Sequence, residues 1–91
     1  MDFIIESKDK LESWCKRNKK EIVKIMDAQY KILFENYFIS ITLTNITIGD
    51  KQVHFVLDWF YPSWNNHKEL EGIEEVVILL NTEIEKEKEV K

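Results

Sequence analysis

The sequence predicts an α+β domain in the order helix, helix, strand, strand, helix, with the helices packed on one face of a long antiparallel β-hairpin. Three observations carry this. Residues 8–36 place apolar side chains at steps of three and four. Residues 37–61 alternate with the period of a strand and are rich in β-branched and aromatic types. Residues 67–88 return to a helical repeat. A two-stranded sheet cannot bury that many aromatics alone, so the helices or a partner must cover it. With 91 residues, 2 Gly and 1 Pro, a single domain spanning 1–91 with short loops is expected.

In the first segment, Leu11, Trp14, Cys15, Ile22, Ile25, Met26, Tyr30, Leu33 and Phe34 fall on one helical stripe. The stripe lapses at Asn18-Lys19-Lys20. Asn18 followed by Glu21 has the spacing of a capping box, which predicts a helix at 8–17 and another at 19–35, ended by Asn36 as a left-handed residue. The period then changes to two. Gly49-Asp50 marks a turn. A three-residue connection would place Leu43 opposite Leu57, Ile41 opposite Trp59 and Ile39 opposite Tyr61, gathering the large apolar residues on one face. The other face would carry Phe38, Ile46, Ile48, Val56 and Phe60 among Ser40, Thr42, His54 and Asp58. Pro62 stops the strand, because it has no N–H to donate. Asn66 and Glu69 repeat the capping-box spacing. Leu70, Ile73, Val77, Leu80 and Ile84 then follow at steps of 3, 4, 3 and 4, a seam-like repeat that outweighs a third strand at 76–80. Gly72 would lie inside that helix and cost it about 1 kcal/mol relative to Ala.

Net charge is −4 but is unevenly spread: residues 8–31 hold 8 Lys/Arg against 4 Asp/Glu, and residues 32–91 hold 5 against 11. The 1 cysteine excludes an internal disulfide. The first residues have no basic region ahead of an apolar run, so no signal peptide is expected. No apolar stretch approaches ~18 residues, so no membrane span is expected. The chain is expected to be cytoplasmic.

Catalytic equipment is sparse. Cys15, His54 and His67 show no paired ligand spacing, so neither a metal nor a cofactor is expected. Cys15 is the one candidate nucleophile, with Lys16-Arg17 beside it to lower its pKa. It also fits as a small core residue. Asp58, between Leu57 and Trp59, lacks an acid–base partner and fits a strand surface opposite Thr42. The basic run Lys16, Arg17, Lys19, Lys20 with Lys24 could hold phosphates, although the chain has a single Arg to read base edges. The glutamates of the C-terminal helix fit a solvated face or a site for a basic partner.

What remains is the aromatic cluster Trp59, Phe60, Tyr61 and Trp64. Trp59 and Tyr61 are expected to point inward, and Phe60 outward. Phe38, Val56, Phe60 and Trp64 are the expected partner-binding residues, since large aromatics anchor interfaces. The function expected is that of a non-enzymatic protein-binding module: an inhibitor, immunity-type or accessory factor that binds another protein stoichiometrically and forms a homodimer. A nucleic-acid-binding module using residues 16–24 is the alternative.

Overall fold

The computed structural model describes residues 3–62 and 65–89. Helix α1 (Phe3–Arg17) is followed by five strands and a second helix. The strands are β1 (Glu21–Met26), β2 (Gln29–Leu33), β3 (Phe38–Ile48), β4 (Lys51–Phe60) and β5 (Asn65–Leu70), and the helix is α2 (Ile73–Glu89). The strands pair antiparallel in chain order as one five-stranded meander. The α+β class stands, but the chain has one N-terminal helix rather than two and a five-stranded sheet rather than a hairpin.

The second helix expected at 19–35 is the β1–β2 hairpin, and two local conformations explain why. At Asn18-Lys19-Lys20 the backbone closes α1 instead of opening a helix. Lys19 is left-handed (φ 56°), and the Lys20 N–H donates to the Cys15 carbonyl at 2.8 Å while the Lys19 N–H donates to Lys16 at 3.4 Å. This double bond pattern around a left-handed residue is a helix stop. The Asn18 amide donates back to the Trp14 carbonyl at 2.8 Å, so Asn18 is spent on the preceding helix. Nine residues later Asp27-Ala28 makes the hairpin turn, with Ala28 at φ 61°. A glycine there would have announced the turn, because it adopts that conformation without a Cβ clash. The core residues Tyr30, Ile32 and Phe34 are spaced by two, which is the strand period.

The C-terminal helix is also shorter than expected. Residues 65–70 form β5, paired with β4 from Phe55↔Leu70 to Phe60↔Asn65. Asn66 caps nothing; its side-chain oxygen accepts from the His67 N–H at 2.9 Å. Gly72 lies between β5 and α2, so the mid-helix penalty does not arise. Residues 76–80 are helical, as the repeat indicates.

The β3–β4 register differs from the expected one by a bulge. The turn is the two-residue Gly49-Asp50, and Ile48↔Lys51 and Thr47↔Gln52 pair across it. Between Leu43 and Ile46 the register shifts: Thr44 and Asn45 together oppose His54. Beyond that point Leu43 faces Phe55, Ile41 faces Leu57 and Ile39 faces Trp59. The inward face is the expected odd-numbered set with shifted partners. Because the bulge reverses the alternation, Ile46 lies opposite the buried Val53 and not on the outer face.

Both helices cover the same side of the sheet. Leu11, Trp14 and Cys15 of α1 and Val76 and Leu80 of α2 share one core with Tyr30, Ile32, Ile39, Ile41, Leu43, Phe55, Leu57, Trp59 and Leu70. The Trp14 indole N–H donates to the Asn81 side chain at 2.8 Å, tying the helices together. The opposite face of the sheet carries neither of these helices.

Candidate functional site

The first strand residues of β3 and the last of β4 meet at one end of the sheet, and both faces of that end are aromatic. Alternation along the strands separates the rings into two sets. On the uncovered face, Phe38 and Phe60 are paired directly and stacked, with centroids 4.8 Å apart. The Lys31 ammonium sits 5.1 Å from the Phe38 ring centroid, within the range of a cation–π contact. Phe60 remains 39% exposed. Val56 lies four residues along the same face and is half-buried. Thus three of the four expected partner-binding residues share a face; the fourth, Trp64, lies outside the described residues.

The centre of this face is polar. Asp58 pairs with Ser40 on one side and His67 on the other, not with Thr42, because of the register. The His67 Nδ1 is 2.7 Å from Asp58, and its Nε2 is 3.5 Å from Glu69. The bond to Asp58 lifts the imidazole above its ordinary value, opposed by burial and reinforced by Glu69. Placing His67 on β5 rather than in a first helical turn is what creates this pair.

On the covered side of the same sheet end, Tyr37 stacks on Phe34 at 5.0 Å and on Tyr61 at 4.6 Å. The Tyr37 and Tyr61 rings wall a cavity of about 330 Å³ lined also by Glu35, Asn36, Glu83, Lys86 and Glu87. Glu83 is only 2% exposed. Its Oε1 accepts the Tyr37 hydroxyl at 2.7 Å and the Tyr61 hydroxyl at 3.3 Å, and its Oε2 lies 3.0 Å from the Lys86 ammonium. Burial alone would raise this carboxyl. Bonds from Tyr37 and Lys86, the Lys86 charge and a bond from Trp59 outweigh it and hold the group below the ordinary glutamate value. The Tyr61 hydroxyl is pushed up to about 12 by burial and by Glu83; Tyr37 rises for the same reasons. One turn on, Glu87 binds the Lys20 ammonium at 2.6 Å and the Glu35 N–H at 2.9 Å.

The sequence reading missed this carboxylate site. Val76, Leu80, Glu83 and Glu87 recur at helical spacing, and the core assignment of Val76 and Leu80 puts the two glutamates on the inward stripe. With the helix phased on Leu70 and Ile73, they counted among solvated acids.

The basic run is divided by the fold. Lys16 and Arg17 end α1, Lys19 is the left-handed stop, and Lys24 is on β1, ion-paired with Asp27 at 3.1 Å. Lys20 is largely covered and committed to Glu87. Cys15 is buried in the core, and its thiol is pushed up to about 11 by burial and the Glu12 charge. Burial thus overrides the neighbouring cations that suggested a reactive thiolate. Among the described residues, no cluster of three or more His, Cys, Asp and Glu is placed to hold a metal ion. No helix among them is long and apolar enough to cross a membrane. Comparison with protein families, with characterised proteins and with solved structures finds no match to the chain.

Proposed function

We propose that this chain is a protein-binding module that acts by stoichiometric association, as an inhibitor or accessory factor would, and that the uncovered sheet face is its contact surface. The observation that carries this reading is the asymmetry of the two layers. Helices bury one face of the sheet, while the other offers a stacked Phe38–Phe60 pair with Val56 beside a charged centre. An apolar patch with a polar surround is the common anatomy of a contact surface. The reading includes self-association, through this face or through an open sheet edge. Of the two edges, β5 is polar, whereas β1 presents Ile25 and Met26 at 44% and 59% exposure; apolar edges recruit strands.

The test is affinity capture from the native host with three baits: the unaltered protein, Val56→Lys/Phe60→Lys, and Lys16→Ala/Arg17→Ala/Lys19→Ala. The proposal expects a protein recovered in stoichiometric amount by the first and third baits and lost from the second. Recovery of nucleic acid, released by salt and lost from the third bait, would overturn it in favour of the basic segment.

A further inference from the structure

The cavity beside the sheet end has a chemistry that contact through the outer face does not use. Its walls are the Tyr37 and Tyr61 rings, and its lining holds three carboxylates, Glu35, Glu83 and Glu87. Two ammonium groups answer them: Lys86 on Glu83 and Lys20 on Glu87. The two cations are held very differently. Lys20 is largely covered, at 2.6 Å from its partner. Lys86 reaches Glu83 from one turn away on the same helix with 60% of its side chain exposed, whereas the carboxylate it meets is 3% exposed. Because the ammonium end stays in water while the carboxylate is buried, the counter-ion of Glu83 is one that a second cation entering from solvent can replace. One oxygen of Glu83 is taken by two tyrosine hydroxyls and is thereby fixed in direction. The other points to the position that Lys86 occupies.

We propose that this cavity is a binding site for an organic monocation, of the alkylguanidinium or alkylammonium class, which displaces Lys86 from the Glu83 Oε2. The local charge favours it: three carboxylates against two ammonium groups leave a net deficit of one positive charge, and the carboxylates turn anions away. The size fits, since about 330 Å³ is at the small end of ligand cavities. Aromatic walls suit the same ligand, because ring faces attract cations, and a planar guanidinium can also pair with a carboxylate through two parallel bonds. This site stands on the covered side of the sheet and does not depend on the proposed contact face.

The test is an amide-resolved NMR titration of the full chain with methylguanidinium, with neutral methylurea as the isosteric control at constant chloride. Saturable shifts are expected at Asn36, Tyr37, Tyr61, Glu83 and Glu87 with methylguanidinium and not with methylurea. Lys86→Met removes the internal competitor and should tighten binding by about twofold or more. Glu35→Gln, at an exposed position, lowers the rim charge and should weaken binding without disturbing the fold. Glu83→Gln should abolish it; if that variant fails to fold, the other two keep the question answerable. A capped arginine separates the sources of the cation: tighter binding than methylguanidinium points to a protein-borne side chain, and weaker binding to a small free cation. The proposal is overturned by equal shifts from methylurea, by no saturation with methylguanidinium, or by Lys86→Met weakening the binding.

Discussion

Trp59 and Phe60 are sequence neighbours with opposite roles. Trp59 is 3% exposed in the core and bonds to Glu83; Phe60 points to the uncovered face. Trp59→Ala should cost about 3–5 kcal/mol, a large part of what a small domain has. Phe60→Ala loses a partly exposed ring and one stacking contact, which is about 1 kcal/mol. Thermal melts of the two variants check this; a larger loss from Phe60→Ala would reverse the assignment of the faces. Lys19 offers the opposite sign. Its left-handed backbone at the end of α1 is strained for any residue with a Cβ. Lys19→Gly should stabilise the chain by about 0.5–1 kcal/mol, the relief of strain being partly offset by the greater freedom of glycine when unfolded. Denaturant melts should show a higher midpoint at an unchanged slope.

At the scale of elements, Glu83 is a buried polar link between α2 and the sheet end. Its folded-state carboxyl lies below the ordinary glutamate value, so its ionisation favours the folded state. That stabilisation is present above the unfolded value of about 4.3 and is lost as the pH falls through the lower folded value. Acid titration should therefore loosen α2 from the sheet. Glu83→Gln should flatten this part of the stability–pH profile, and an unchanged profile would assign the acid sensitivity elsewhere. His67 acts in the other direction. Its value is raised, so its contribution is present below about 6.5 and fades as the pH rises through the folded value. Solvent exposure keeps that contribution small.

Elements also show where the sequence was legible. Helix α2 could be read because Ile73, Val77, Leu80 and Ile84 keep helical spacing before, through and beyond the ambiguous apolar run at 76–80. The β1–β2 hairpin could not, because Ile22, Ile25 and Met26 fit a helical stripe as well as a strand, and Ala28 fills a turn position without the glycine that marks one. Both apparent capping boxes misled for one reason. Asn18 and Asn66 accept or donate locally in several backbone conformations, so the residue type alone does not say which element it serves. The outer-face residues Phe38, Val56 and Phe60 could be read from alternation alone. The tyrosine–glutamate cavity could not, since it joins residues 46 positions apart, Tyr37 and Glu83.

For the whole molecule, a meander in chain order leaves two edges and one open face. Amide exchange should be slowest in the central segments 39–43 and 55–59, whose strands are paired on both sides. It should be faster in β1, an edge strand. If copies associate through β1, its amides should become protected as concentration rises into the high micromolar range, with a doubled mass in light scattering. Association through the outer face should give the doubled mass without that protection. A monomer at those concentrations would refute self-association.

The sequence by itself determined the α+β class, a helix ending at residue 17, the helix from Ile73 onward, the central β3–β4 pair and which of its side chains face inward on the aromatic side of the bulge; it assigned residues 19–35 to a second N-terminal helix that is a hairpin instead. These rest on short-range periodicity, which a side chain enforces through its immediate neighbours. Only the tertiary structure decided that residues 21–33 and 65–70 are strands. A strand is stabilised by a partner that can lie far along the chain, and β3 and β4 supplied edges on which those segments gain more than a local helix offers. It likewise decided the bulge at Thr44-Asn45 and the burial of Glu83, because both depend on how the sheet end, α2 and the Tyr37–Tyr61 stack fit together in space.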